Sequence, residues 1–113
     1  MSETDLVQAL LVALSAHKCM VWRHNSGKLQ DRRGRWVSFG LVGSADIVGW
    51  CRAPGCARFI AVECKAPKGK LSEAQVAFGA QAKEAGVIYC VARSVDDALR
   101  ALSQHRCNGG GAI

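Results

Sequence analysis

Apolar and polar positions alternate along the chain with two periods, and these periods predict both helices and strands. Three helices are predicted, each beginning at a serine suited to cap its first turn: Ser2, Ser72 and Ser94. Apolar residues at three- and four-residue spacing carry the first helix to about His17. The second begins with a capping box and runs to about Ala85, where Gly86 stops it.

Short apolar runs between the helices predict strands. Three lie before the second helix, at 19–22, 46–51 and 58–65, and one follows it at 87–91. The last strand is expected to lie parallel to its predecessor, since a helix connects them. The expected architecture is therefore α/β, with one mixed sheet flanked by helices in the order α-β-β-β-α-β-α.

Two segments between the first two strands fit this order less well. The polar, basic segment 26–35 contains two glycines and is predicted to be a mobile loop or a hairpin tip. Residues 36–39 are a candidate for a further short strand. The three tryptophans, Trp22, Trp36 and Trp50, are expected to lie in the core.

The length of 113 residues fits one domain. We expect this domain to span residues 1–107, followed by a flexible, glycine-rich tail at 108–113. No run of 18 apolar residues suggests a membrane span. The first residues also lack the basic start and the cleavage site of a signal peptide, which predicts a cytoplasmic protein.

Six cysteines are expected to be reduced and mostly to act as small buried side chains. Cys51 and Cys56 form an isolated C-x4-C pair, which is either half of a zinc site or the two ends of a turn between strands. No second Cys or His pair at zinc-finger spacing follows, so the pattern favours a turn at Pro54-Gly55.

Positive charge is concentrated in the middle of the chain. Residues 18–70 carry eleven Lys and Arg against three acids, whereas the whole chain has a net charge of +6. This segregation favours a polyanionic partner such as a nucleic acid over a merely solubilising surface. The side chains expected to contact the nucleic-acid backbone are Arg23, Lys28, Arg32, Arg33, Arg35, Lys68 and Lys70.

Two acids of this basic segment lie in predicted strands. Asp46 opens one strand of the predicted hairpin and Glu63 lies near the end of the other, so pairing brings the two carboxylates together. Such a pair is suited to Mg2+ or Mn2+, and the carbonyl of Cys64 is positioned to complete the metal shell. Lys65 shares a face with Glu63 and is expected either to hold a phosphate or to form a simple ion pair.

These residues resemble a known family. Gly43-Ser44-Ala45-Asp46, Glu63-Cys64-Lys65 and Ser72-x-x-Gln75 are similar to the PD-(D/E)xK nuclease signature, and specifically to its VRR-NUC branch. Ser44-Ala45 stands where a proline is common in the wider superfamily, and Cys64 replaces the usual aliphatic residue. Neither departure removes a functional side chain.

The resemblance implies a restriction-endonuclease-like fold and a metal-dependent DNA endonuclease. Asp46 and Glu63 would bind the ion with the Cys64 carbonyl, Lys65 would be catalytic, and Gln75 would face the active site. Glu3 and Asn25 are candidates for supporting residues. The alternative for Glu3 is a structural role as an acid in the first helical turn, and the alternative for Asn25 is a role in a turn. The alternative function is a non-catalytic nucleic-acid-binding module that retains the fold.

The resemblance also bears on assembly and context. Stand-alone members of the family are dimeric junction-cutting nucleases, and the generous apolar content suggests that some surface needs a partner. A C2 homodimer acting on branched DNA is therefore expected. The small size is typical of a phage or prophage protein, which would place it in a bacterial or phage-infected cell.

Overall fold

The computed structural model describes residues 1–53 and 55–104. It contains three helices and six strands in these residues, and their bounds are α1 Glu3–Ala16, β1 Cys19–Arg23, β2 Gly27–Gln30, β3 Trp36–Phe39, β4 Ile47–Ala53, β5 Cys56–Cys64, α2 Glu73–Glu84, β6 Ile88–Ala92 and α3 Val95–Gln104. Ser72 caps α2 with both halves of a capping box, and Ser2 caps α1 by accepting the Asp5 N–H.

Four strands form the central sheet in the order β1-β4-β5-β6. The β1–β4 and β4–β5 pairs are antiparallel, and β5–β6 is parallel. The predicted α/β class with a mixed sheet flanked by helices is therefore confirmed, as are the hairpin and the parallel pair. Among the described residues, no helix is both long enough and apolar enough to cross a membrane.

The strands β2 and β3 form a second, two-stranded sheet that the predicted element order lacks. We call residues 27–39 the basic hairpin. Its turn is held by Asp31, whose Oδ1 accepts the Arg33 and Arg35 N–H groups at 2.8 and 2.9 Å. The candidate strand at 36–39 is confirmed as β3, and the hairpin-tip alternative for 26–35 is correct at the turn. The strand β2 was not predicted because it carries few apolar residues, and hydrophobic periodicity cannot detect a strand that lies outside the core.

Helices cover the two faces of the central sheet unequally. One face packs against α1 and α3 around fully buried residues such as Leu10, Leu14 and Ile60. On the other face, α2 covers a smaller cluster that includes Val48 and Tyr89. The sheet is therefore fully covered on one face and covered only in part on the other.

The expectation that the tryptophans lie in the core is wrong. Trp22 and Trp50 are 42% and 43% exposed, and Trp36 is 67% exposed. Side chains alternate between the faces of a strand, and this alternation puts Trp22 and Trp50 on the face that α2 only partly covers. Trp36 lies on the basic hairpin, outside the central sheet.

The cysteines differ in their chemical state. Cys19, Cys51, Cys64 and Cys90 are free thiols. Cys56 is disulfide-bonded, contrary to the expectation of reduced thiols; it begins β5 beside the hairpin turn and is only half-buried, so the core does not enclose it. Pro54 of the predicted turn and the predicted tail 108–113 lie outside the described residues.

Candidate functional site

The β4–β5 hairpin brings two carboxyl groups into contact. Ile47 is paired with Val62, so the antiparallel register places Asp46 opposite Glu63 at the next position. The two carboxyl side chains share a hydrogen bond. Asp46 is fixed further because its Oδ2 accepts the Cys64 N–H at 2.7 Å.

Glu63 is a buried charged residue, only 2% exposed. Its Oε2 accepts a hydrogen bond from Gln75 Nε2 at 2.9 Å and lies 3.9 Å from Lys65 Nζ. The Lys65 side chain is 14% exposed, so it reaches solvent beside the carboxyl pair. Carboxyl oxygens, an amide and an ammonium group thus meet at the end of β5.

Burial raises the pKa of Glu63 to about 8, and the negative charge of Asp46 contributes to the same shift. The nearby Lys65 opposes this shift but does not cancel it. At neutral pH Glu63 therefore retains its proton in the metal-free protein. Two carboxyl groups held this close together form a site that a positive charge would stabilise.

Gln75 has two roles at once. Its Oε1 accepts the Ser72 N–H at 2.8 Å as part of the capping box of α2, while its Nε2 donates to Glu63. The capping role and the site role, which the sequence presents as separate interpretations, therefore use opposite ends of one amide. Through this side chain, the first turn of α2 is fixed against β5.

The proposed supporting residues differ in their distance from the carboxyl pair. Glu3 Oε2 accepts the Ala66 N–H at 3.4 Å, and its charge adds to the raised pKa of Glu63. Asn25 is exposed just after β1, and its side chain makes no hydrogen bond within the described parts of the chain. Beside it, the His24 N–H donates to the Asp46 carbonyl at 2.7 Å.

Arg93 is a residue of the site region that sequence reasoning missed. Its Nη1 donates to the carbonyls of Ala66 at 2.7 Å and Gly69 at 2.9 Å, in the loop that follows Lys65. This guanidinium therefore ties the β5–α2 loop to the end of β6. A single arginine after a strand gives no pattern in the sequence, so only the fold reveals this contact.

The predicted DNA-binding side chains are all exposed: Arg23, Lys28, Arg32, Arg33, Arg35, Lys68 and Lys70. Lys68 and Lys70 lie in the loop after Lys65, and four of the others lie on the basic hairpin. Within the hairpin, Arg35 Nε donates to Asp31 Oδ2 at 2.9 Å, so this guanidinium also stabilises the turn. The Arg32 and Arg33 side chains make no ion pair with the described residues.

A mixed sheet flanked by helices, with a carboxyl pair and a lysine at the end of one hairpin, defines a nuclease-like α/β domain. Residues 11–96 match the family model of the VRR-NUC domain, and this match spans most of the 113 residues. The chain belongs to the VRR-NUC domain family. No curated protein matches it.

Family membership makes the chain a nuclease-type domain that acts on DNA. The matched segment contains Asp46, Glu63, Lys65 and Gln75, whereas Glu3 lies before it.

The raised pKa of Glu63 predicts how the stability of the metal-free protein depends on pH. Folding raises this pKa from 4.5 to about 8, so between these values the folded protein holds a proton that the unfolded chain releases. The contribution of Glu63 to the free energy of unfolding is therefore fully present below pH 4.5. It should fall as pH rises to 8, by up to about 1.4 kcal/mol per pH unit.

Urea unfolding of wild type and Glu63→Gln between pH 4.5 and 8 measures this contribution. The variant should lose most of the pH dependence, because its amide carries no titrating proton. Glu84→Gln, at an exposed carboxyl group on α2, is the matched control and should keep the wild-type slope. Equal slopes in Glu63→Gln and wild type would contradict the assignment.

Proposed function

We propose that this protein is a Mg2+- or Mn2+-dependent endonuclease that hydrolyses DNA phosphodiester bonds. The observation that carries the proposal is the carboxyl pair of the partly buried Asp46 and the buried Glu63, which lie opposite each other in the β4–β5 register, with Lys65 Nζ 3.9 Å from Glu63 Oε2. In this proposal both carboxylates and the Cys64 carbonyl hold the ion, and Lys65 acts on the phosphate.

The donor set fits a hard divalent cation. A structural zinc site is built from four protein ligands, mostly Cys and His. The described residues hold no group of even three His, Cys, Asp or Glu side chains that could bind a metal. Mg2+ is instead commonly held by one or two carboxylates, with water and substrate phosphate as its other ligands. A bound ion would supply Lewis acidity at the phosphate and raise the acidity of water there.

The position of Lys65 supports a role at the phosphate. Its side chain is mostly buried along its length, while its ammonium group lies at the edge of the carboxyl pair. There it can donate hydrogen bonds to a phosphoryl oxygen or orient the attacking water as negative charge develops. Gln75 holds the Glu63 carboxyl group in place from the opposite side through its 2.9 Å hydrogen bond.

A nicking assay on supercoiled plasmid and on four-way junction DNA, with Mg2+, Mn2+ or EDTA, tests the activity. Wild type should cut with either metal and not with EDTA, and Asp46→Asn should abolish cleavage while DNA binding is largely kept. Asp96→Asn, at an exposed aspartate on α3, should cut like wild type. Binding without cleavage by the wild-type protein would support the non-catalytic DNA-binding module instead.

The same assay separates a catalytic Lys65 from a simple ion-pair partner. Lys65→Ala should cut at least ~100-fold more slowly, which is the scale for removing one transition-state donor. Lys83→Ala, which removes an exposed lysine of α2, is the control. Cleavage by Lys65→Ala at nearly the wild-type rate would limit Lys65 to pairing with Glu63.

The basic hairpin and the loop after Lys65 are the proposed DNA-contacting elements. Both expose several Lys and Arg side chains, and the loop lies next to the carboxyl pair. The arginines of the hairpin turn have no aromatic residues interleaved among them. We therefore propose contact with backbone phosphates with little preference for base sequence.

Replacing Arg32 and Arg33 together with Ala should weaken binding to all DNA sequences alike. It should also flatten the dependence of log affinity on log salt by up to ~0.9 for each phosphate that the protein no longer neutralises. Arg35 is left in place because it holds the turn through Asp31. Fluorescence anisotropy at several salt concentrations measures both effects, and an unchanged salt slope would show that the turn faces away from DNA.

We also propose that the protein is a homodimer, with one exposed surface of the sheet as its interface. Met20, Trp50 and Phe59 lie opposite one another across β1, β4 and β5, and each is 43–57% exposed. The Trp22 ring packs edge-on against Trp50 at 5.9 Å. We call these four residues the aromatic face. Large aromatic side chains and Met are typical of interface centres.

A second copy is the occupant that fits the proposed activity. One domain offers one carboxyl pair, whereas cutting both strands or resolving a junction needs two sites in fixed geometry. A twofold axis through the aromatic face would bury the exposed rings of both copies and supply the second site.

Light scattering at micromolar concentration should give about twice the chain mass of 12.1 kDa for wild type. Trp50→Lys should shift the protein to monomer, because two lysines would then meet across the axis. Val12→Lys, at a 73% exposed position on α1, should leave the dimer unchanged. A monomeric wild type, or a dimer that survives Trp50→Lys, would contradict this interface.

A further inference from the structure

Two free thiols face each other on neighbouring strands at the β1 edge of the central sheet. Cys19 begins β1 and Cys51 lies on β4, and the two residues are direct cross-strand partners. Their Sγ atoms are 2.7 Å apart. Both belong to the core beneath α1 and α3, with Cys19 buried and Cys51 partly exposed.

The backbone geometry of this pair permits a covalent bond. The Arg52 N–H donates to the Lys18 carbonyl at 3.1 Å, so the neighbouring pair is the hydrogen-bonded one. Cys19 and Cys51 therefore occupy a non-hydrogen-bonded position, where Cα atoms are about 4.5 Å apart and side chains come closest. That spacing lies within the range that disulfides span.

The two sulfur atoms are also unequal in acidity. The hydrogen bond from Cys51 lowers the pKa of Cys19, and the same contact, with burial, raises that of Cys51. Cys19 therefore holds the negative charge when the pair loses a proton. Burial instead raises the pKa of Cys64 and of Cys90 to about 12, which makes those thiols unreactive by comparison.

We propose that Cys19 and Cys51 form a redox-active dithiol that a low-molecular-weight disulfide oxidises to a cross-strand disulfide. The Cys19 thiolate attacks one sulfur of the oxidant, its S–S bond breaks, and one thiolate leaves. Cys51 passes its proton to that thiolate and attacks Cys19 Sγ, which displaces the second thiolate. The dithiol thus loses two electrons, and the oxidant is reduced to one thiol and one thiolate.

This bond would fasten the edge strand β1 to β4. The chain between the two cysteines contains the basic hairpin and Asp46, so the disulfide closes a loop around both. Closing such a loop restricts the unfolded chain and stabilises the folded one. The inference stands independently of the proposed nuclease activity, because it rests only on the position of two thiols.

The sequence makes the bond easy to map. Trypsin cleaves after Lys18, Arg23, Arg35 and Arg52, so Cys19 falls on peptide 19–23 and Cys51 on peptide 36–52. The other four cysteines lie on four further tryptic peptides. Reduced full-length protein is incubated with oxidised glutathione, its remaining thiols are blocked with N-ethylmaleimide, and the digest is analysed by mass spectrometry.

The expected product is a linked pair of peptides 19–23 and 36–52 that dithiothreitol separates. Cys51→Ser should not form it, and Cys90→Ser, the control, should form it as wild type does. Oxidation should also raise the melting temperature of wild type by roughly 10 °C more than that of Cys51→Ser. Comparing the two proteins cancels any contribution from Cys56.

The wild-type digest alone decides the proposal, even if Cys51→Ser fails to fold. The proposal is overturned if peptides 19–23 and 36–52 both carry N-ethylmaleimide after oxidation. Two separate glutathione adducts, or a link from Cys51 to any other cysteine, would overturn it equally.

Discussion

Two carboxyl groups held against each other inside the protein are the constraint on which the site depends. Asp46 and Glu63 meet because the register of the β4–β5 hairpin places them opposite each other. Burial alone would disfavour their charges, and the raised pKa of Glu63 shows this cost. The fold fixes each group with a further hydrogen bond, from the Cys64 N–H to Asp46 and from Gln75 to Glu63.

The surrounding elements act as a frame for this pair. The α2 helix is fixed at its first turn by a capping box whose glutamine also holds Glu63, so the helix and the site are positioned by one side chain. Arg93 ties down the loop that follows Lys65, and Glu3 meets the same loop from α1. The free-energy cost of holding two carboxyl groups together is thus offset by the apolar cores on both faces of the sheet. Functional sites are commonly stabilised in this way by the rest of the fold.

Sequence patterns predicted those features that depend on local chemistry. Serine caps marked the starts of the helices, and apolar runs located the four strands of the central sheet. Features that depend on the surroundings were missed. The strand β2 has no apolar face that would reveal it, and Trp22 and Trp50 lie on the face of the sheet that α2 covers only in part. The hydrogen bonds of Arg93 with the β5–α2 loop, and the contact between Cys19 and Cys51, join residues that are distant in sequence. Tertiary context decides each of these.

Calorimetric titration of the purified protein with Mn2+ tests whether Asp46 and Glu63 bind the metal, and it needs neither DNA nor cleavage. We expect one site per chain in wild type, a decrease of at least tenfold in affinity for Asp46→Ala and for Glu63→Ala, and a site that survives Lys65→Ala. Asp96→Ala, at an exposed aspartate, serves as the control and should bind like wild type. Unchanged Mn2+ affinity in Asp46→Ala would contradict the assignment of the carboxyl pair as the metal site.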